Sequence, residues 1–217
     1  RRPRPRRRLD RTTRAAPPPA DRDELLGPAD ESLGALGTLI TDLLDVSRLE
    51  AGVLGVSRTE VEPADVVLPA LDELGLGPAQ VELDLELDVP AVVADPVLLQ
   101  RVLVNLLANA TRHSPPDARV RISPSAFGGS VEIRDVSHGP ASPPERREDV
   151  FVPFQRLGDT DNTTGLGLGL ALSKGFVEGM GGTLTPEDTP GGGLTMVVAL
   201  PAAGPTPHPD APETSAP

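Results

Sequence analysis

Cysteine, tryptophan and tyrosine are absent from the 217 residues, and phenylalanine occurs only four times. Without cysteine there is no disulfide, no thiolate metal site and no cysteine nucleophile. With aromatics at 2%, stacking on nucleic-acid bases is nearly excluded, and a core must be assembled from Leu, Val and Ala. Histidine is scarce too, at His113, His138 and His208, which argues against a zinc site. No stretch approaches the ~18 consecutive apolar residues of a membrane span, and no signal-peptide pattern opens the chain. The sequence therefore reads as soluble and cytoplasmic, with any membrane spans of a parent protein lying outside it.

What is plentiful is charge, unevenly placed. The net charge is −12, yet residues 1–14 hold eight Arg and one Asp. The overall −12, less this +7, leaves −19 on residues 15–217. A basic block can act as a nucleic-acid or anionic-membrane arm, but no apolar periodicity accompanies these arginines, and a disordered leader explains them better. The acidic remainder argues against a nucleic-acid partner. Residues 1–20 are read as an Arg/Pro-rich disordered leader and residues 204–217 as a Pro/Thr/Ser tail.

Between these ends the 38% of hydrophobic residues suffices for one domain of ordinary size. Residues 21–51 carry a helical pattern, with Leu33, Leu36, Ile40 and Leu43 stepping by three, four and three. Asp30, Glu31, Asp42 and Asp45 fall on other faces. Such a stripe calls for a helical partner, or equally for an ordinary amphipathic packing onto its own domain. Residues 52–203 mix strands and helices. Strands are predicted at 54–61, 81–87, 91–94, 118–123, 130–136, 182–185 and 194–200, with a hairpin turn at Gly128-Gly129. Helices are predicted at 63–74, 95–113 and 168–180, the second opening on an Asp95-Pro96 start signal. The class is α+β, a mixed sheet with helices on one face.

The helix at 95–113 has an apolar stripe of Leu99, Val102, Leu103, Leu106, Leu107 and Ala110. On a different face Arg101, Asn105, Asn109 and Arg112 recur at i, i+4, i+8 and i+11. Asn is a poor helix former. Its amide oxygen can ligate a hard cation such as Mg²⁺, and an arginine one turn away can reach phosphate; a solvated polar face explains the row as well. Downstream, Gly165, Gly167 and Gly169 alternate with leucines and lead into a helix. Glycine permits close backbone approach, and a helix N-terminus offers unpaired N–H groups to phosphate. The polar stretch 158–164 before them suits a mobile lid, and Phe151 and Phe154 could anchor its base or belong to the core.

Three segments resemble the boxes of sensor histidine kinases. Asn105-Leu106-Leu107-Ala108-Asn109-Ala110-Thr111-Arg112-His113-Ser114 resembles the N box and Phe151-Val152-Pro153-Phe154 the F box. Gly165-Leu166-Gly167-Leu168-Gly169-Leu170 resembles the G2 box. Leu43-Leu44-Asp45-Val46-Ser47-Arg48-Leu49-Glu50-Ala51-Gly52 is similar to the end of the second dimerisation helix. The order and spacing agree over residues 21–201, and the likeness is greatest to potassium-responsive sensor kinases of actinobacterial type. The resemblance implies a two-layer Bergerat ATP-binding sandwich at 52–203, preceded at 21–51 by the remnant of a dimerisation helical hairpin. It implies ATP and Mg²⁺ as ligands, with Asn109 holding Mg²⁺, Asn105 nearby, Arg112 on phosphate and His113 bordering the nucleotide. Gly165, Gly167, Leu168, Gly169 and Leu170 would close over the triphosphate. The implied chemistry is γ-phosphoryl transfer to a histidine in two-component signalling, with a response regulator as partner and a homodimer in the parent kinase.

Two departures from the family stand out. Its G1 box reads Asp-x-Gly-x-Gly, whereas here Ser137 stands at the adenine-reading position, followed by His138, Gly139 and, at the second glycine, Ala141. An acidic residue occurs two positions early, at Asp135, on the same face of a strand; a local register slip would make it the adenine contact. The family's acceptor histidine motif is also absent, since His113 lies in the N box, His138 in the G1 box and His208 in the tail. Two alternatives from other classes are a non-catalytic module that recruits a kinase or response regulator, and an anti-sigma-type serine kinase, against which the dimerisation-type helix speaks.

Overall fold

The computed structural model describes residues 19–85, 88–138, 147–154 and 167–204. The chain parts into two units, Arg1–Ile40 and Thr41–Pro217. In the first, the described backbone is helical, part of α1 (Pro19–Glu50), and Leu33, Leu36 and Ile40 stand exposed on it.

The larger unit holds the last turns of α1 and everything after them. Its elements run β1 (Thr59–Val61), α2 (Pro63–Glu73), β2 (Val81–Leu83), β3 (Val92–Ala94), α3 (Pro96–His113), β4 (Val120–Phe127), β5 (Ser130–Val136), a 3₁₀ turn (Glu148–Phe151), α4 (Gly169–Gly179), β6 (Thr183–Asp188) and β7 (Leu194–Pro201). A five-stranded sheet has the order β2-β4-β5-β7-β6, and β1 and β3 form a separate antiparallel pair. Only the β2–β4 pairing in the main sheet is parallel. The sheet is mixed, and α3 packs against β4 and β5 while α4 packs against β6.

Local chemistry explains the strongest elements. The β4–β5 hairpin turns on Gly128 and Gly129, both at positive φ, the conformation a two-residue turn demands. Counting back from that turn, Pro124 faces Ile133 in a pair that exchanges no hydrogen bonds. Its missing N–H therefore points away from β5, at a position beyond the end of β2, whose last partner is Ile122. This is how β4 reaches Phe127 instead of stopping at 123. The core joins Leu99, Val102, Leu103, Leu106, Leu107 and Ala110 of α3 to Val120 and Ile122 of β4, Val131 and Ile133 of β5, and Leu172, Phe176 and Val177 of α4.

Two predicted strands are shorter than their sequence pattern. Within 54–61 only Thr59–Val61 pairs, because its partner β3 is three residues long. Leu54 and Val56 still pack on the core, and the Ser57 amide is taken by the Asp95 carboxylate at 2.8 Å. Within 81–87, pairing with β4 ends at Leu83, and residues 86–87 lie outside the described residues.

Candidate nucleotide site

The framework of the site is α3. Asp95 caps it, with one carboxylate oxygen accepting from the amides of Val97 and Leu98 at 3.0 and 3.2 Å and the other from Ser57. A double duty of this kind fixes where the helix begins relative to the preceding loop. With all six residues of the apolar stripe buried, the row Arg101, Asn105, Asn109 and Arg112 is turned away from the core.

The four side chains of that row have different surroundings. Arg101 is held by two carboxylates of α1, Asp42 at 2.7 Å and Asp45, and lies 5.3 Å from the centroid of the Phe176 ring. The Asn105 amide donates to the Gly169 carbonyl and to the Ser173 hydroxyl, each at 3.4 Å, and that hydroxyl donates to the Gly169 carbonyl at 2.8 Å. Asn105 therefore ties α3 to the first turn of α4. Asn109 is half-buried and its amide has no hydrogen-bond partner among the described residues. Arg112 and His113 are exposed at the end of the helix.

Across from Asn105, α4 begins at Gly169 without a side-chain cap, preceded by Gly167 at φ 70°. Its first N–H groups have no partner within the helix and lie at the positive end of the helix dipole. Leu168 is buried, anchoring the chain as it enters the helix, and Leu170 packs against the core from its edge. The two phenylalanines part company. Phe151 is buried under the Lys174 ammonium, 4.6 Å from its ring centroid, and Lys174 also pairs with Glu148 at 3.2 Å. Phe154 is 61% exposed at φ 63°, a backbone conformation unusual for a bulky residue.

The end of β5 is built differently. Ser137 follows β5 and its hydroxyl donates to the Leu194 carbonyl at 2.7 Å, while its amide donates to the same carbonyl at 3.1 Å. The chain passes so close here that a Cβ on Gly193 would lie 2.1 Å from the Ser137 carbonyl oxygen. Asp135 sits two residues earlier on the core face of β5, paired in register with Ile122 and Met196. It is 2% exposed, neither carboxylate oxygen has a hydrogen-bond partner, and burial pushes its pKa up to about 7. The β5 register is continuous with both neighbours through Val136. Gly139, Ala141 and Gly165 lie outside the described residues.

Among the described residues no three His, Cys, Asp or Glu gather as a metal site, so a cation here would depend on the Asn109 amide and on oxygens brought by a ligand. The Asn109 amide has no hydrogen-bond partner among the described residues, and α4 starts without a side-chain cap. The Ser137 hydroxyl is already spent on the backbone. The Arg101 anchorage and the Lys174 contact with Phe151 were not legible as functional from spacing. Arg101 shares the helical period of the asparagines, but its partners, Asp42 and Asp45, lie 59 and 56 residues away in sequence.

Residues 94–204 match the histidine kinase-, DNA gyrase B-, and HSP90-like ATPase family. The sensor protein KdpD of Rathayibacter rathayi is 67% identical over 168 residues, covering 77% of this chain and 20% of that protein. KdpD of Mycobacterium tuberculosis is 41% identical over 198 residues, covering 88% of this chain and 23% of that protein. The chain thus spans about a fifth of the length of these relatives. Among solved structures, full-length ShkA in complex with AMPPNP superposes with a TM-score of 0.71 at 24% identity, over 87% of this chain and 40% of that one. The mycobacterial sensor histidine kinase MprB gives 0.57 at 29% identity, over 67% of this chain and 98% of that one.

Proposed function

Because the chain belongs to the histidine kinase-, DNA gyrase B-, and HSP90-like ATPase family and is the ATP-binding catalytic domain of a sensor histidine kinase, we propose that it binds ATP·Mg²⁺ between α3 and the start of α4. The observation that carries this reading is the Asn109 amide, without a hydrogen-bond partner among the described residues, one turn along α3 from the Asn105 that holds the uncapped start of α4. In this reading residues 52–203 are the ATP-binding domain, residues 21–51 the end of a dimerisation hairpin, and residues 1–20 and 204–217 flanking tails.

The roles follow from position. Asn109 supplies an amide oxygen to Mg²⁺, with Asn105 nearby holding Gly169 in place. Arg112 and His113, at the open end of α3, border the nucleotide, and Arg112 contacts phosphate. Gly167, Leu168, Gly169 and Leu170, with Gly165 ahead of them, present backbone N–H groups to the triphosphate. Mg²⁺ held by Asn109 would supply positive charge against the phosphates. The reaction would transfer the γ-phosphoryl group to the lone-pair nitrogen of an imidazole, the P–O bond to ADP breaking as the P–N bond forms and the other ring nitrogen giving its proton to solvent. No histidine of this chain stands in an acceptor motif, so the acceptor comes from outside these 217 residues, and a response regulator takes the phosphoryl group onward. Phe151 and Phe154 flank the site at the base of the polar loop. Ser137, with Gly139 and Ala141 after it, gives a weakened adenine pocket, because a hydroxyl bound to Leu194 lacks the charge of a carboxylate acceptor.

Titration calorimetry with ATP and Mg²⁺ tests this. We expect Mg²⁺-dependent binding in the high-micromolar range or weaker, and a trace flat to millimolar ATP would overturn the reading. Ser137→Asp with Ala141→Gly should tighten binding about tenfold to a hundredfold. No gain from that pair would point to Asp135 as the adenine contact.

A further inference from the structure

Arg101 has more partners than a surface helix residue needs. Asp42 and Asp45 are three apart on α1 and so share one face of it, and both reach the same guanidinium. Asp45 is buried and also meets Arg48. The other side of the guanidinium lies over Phe176, a fully buried residue of α4. A planar fork can bind two carboxylates and stack on a ring at once, which an ammonium cannot do. A second contact reinforces the first. Leu49, one turn after Asp45, packs onto bare backbone at Gly175, where a Cβ would come within 2.6 Å of the leucine Cδ1. One turn beyond Arg101 on α3 is Asn105, whose amide holds Gly169 and Ser173 at the start of α4.

We propose that Arg101 is a positioning residue that fastens the end of α1 to α3 and α4 and transmits a displacement of Asp42 and Asp45 through Asn105 to the first turn of α4. The path is short: carboxylates, guanidinium, one turn of α3, then an amide holding a carbonyl. Where the α3–α4 face binds nucleotide, as proposed above, the same path links nucleotide occupancy to the end of α1, and the link is reciprocal. An ordinary stabilising ion pair would hold α1 without reaching α4, which is the distinction to be measured.

Hydrogen exchange followed by mass spectrometry on the full chain reads both ends. In Arg101→Gln, peptides from residues 41–50 and from residues 169–173 should both exchange roughly tenfold faster, as the loss of charged hydrogen bonds implies. Asp42→Asn with Asp45→Asn should reproduce both changes, and the triple variant should go no further than either. Arg101→Lys, which keeps the charge but loses the fork, should fall between wild type and Arg101→Gln. Should Arg101→Gln fail to fold, Asp42→Asn alone and Arg101→Lys give the same comparison at smaller amplitude. Faster exchange confined to residues 41–50, or no change at either end, overturns the proposal. Saturating ATP·Mg²⁺ should slow exchange at residues 41–50 in wild type and not in Arg101→Gln; slowing in both overturns the link. A wild type that responds to ATP·Mg²⁺ nowhere refutes the nucleotide reading, while the comparison without nucleotide still decides the coupling.

Discussion

A carboxyl group in a hydrocarbon layer is the sharpest feature at the scale of single residues. Asp135 has apolar neighbours in register on both sides, Ile122 and Met196, and no hydrogen-bond partner. Raising its pKa from 3.8 to about 7 by burial means that ionising it in place costs roughly 4 kcal/mol. Between those two values the folded chain keeps a proton that the unfolded chain has lost, so stability falls as pH rises from about 4 to about 7 and levels off above. We expect the urea midpoint to decline over that range, and Asp135→Val to flatten the decline and raise the midpoint most at pH 8. Equal pH slopes in wild type and variant would show that Asp135 is solvated or partnered in solution. The alternation of β5 was legible in the sequence, including the placement of Asp135 on the face of Val131 and Ile133. That the face is sealed from water at Asp135 depends on β4, β7 and the helices above, which no single strand pattern reports.

At the scale of elements, the joints between helices carry the site, and they differ in how readily a sequence shows them. The six buried residues of α3 were legible because a 3.6-residue period repeats over about three turns. The Asp95 cap was legible because it is local. The α3–α4 clasp was only half legible. Asn105 and Gly169 each stood in a recognised box, but their bond spans 64 residues, and Ser173 carried no signal beyond following Gly169 by one turn. Asn105→Ala should therefore lower stability by about 1 kcal/mol or somewhat more, since it leaves the clasp unmade, and weaken ATP binding as well. Thermal melting and calorimetry on one preparation check both, and an unchanged affinity would remove Asn105 from the site. The α1–α4 joint yields a steric prediction. Gly175→Val should destabilise by a few kcal/mol because Leu49 occupies the space, and Leu49→Ala in the same chain should recover part of the loss. A full additive loss in the double variant would mean that the two residues do not meet.

For the molecule as a whole, the apolar seam of α1 is exposed. Leu33, Leu36, Ile40 and Leu43 are each about half exposed or more, at the heptad spacing that suits a helix of another chain. The stripe is plain in the sequence, and periodicity alone leaves open whether it packs on its own domain or on another helix. Burying four such side chains in a bundle contributes on the order of 1.5 kcal/mol each at full burial, enough to offset part of the cost of association and so to give weak, concentration-dependent self-association. Sedimentation across a range of concentrations should show a dimer component, and Leu36→Lys with Ile40→Lys should abolish it without changing the melting of the body, because those side chains lie outside the core cluster. Removing residues 1–20 should change neither property, as the Arg/Pro-rich leader contributes nothing to that stripe. A chain that stays monomeric at all concentrations would leave the seam to a different protein, and loss of the body's melting transition on either change would show that the leader or the seam is structural.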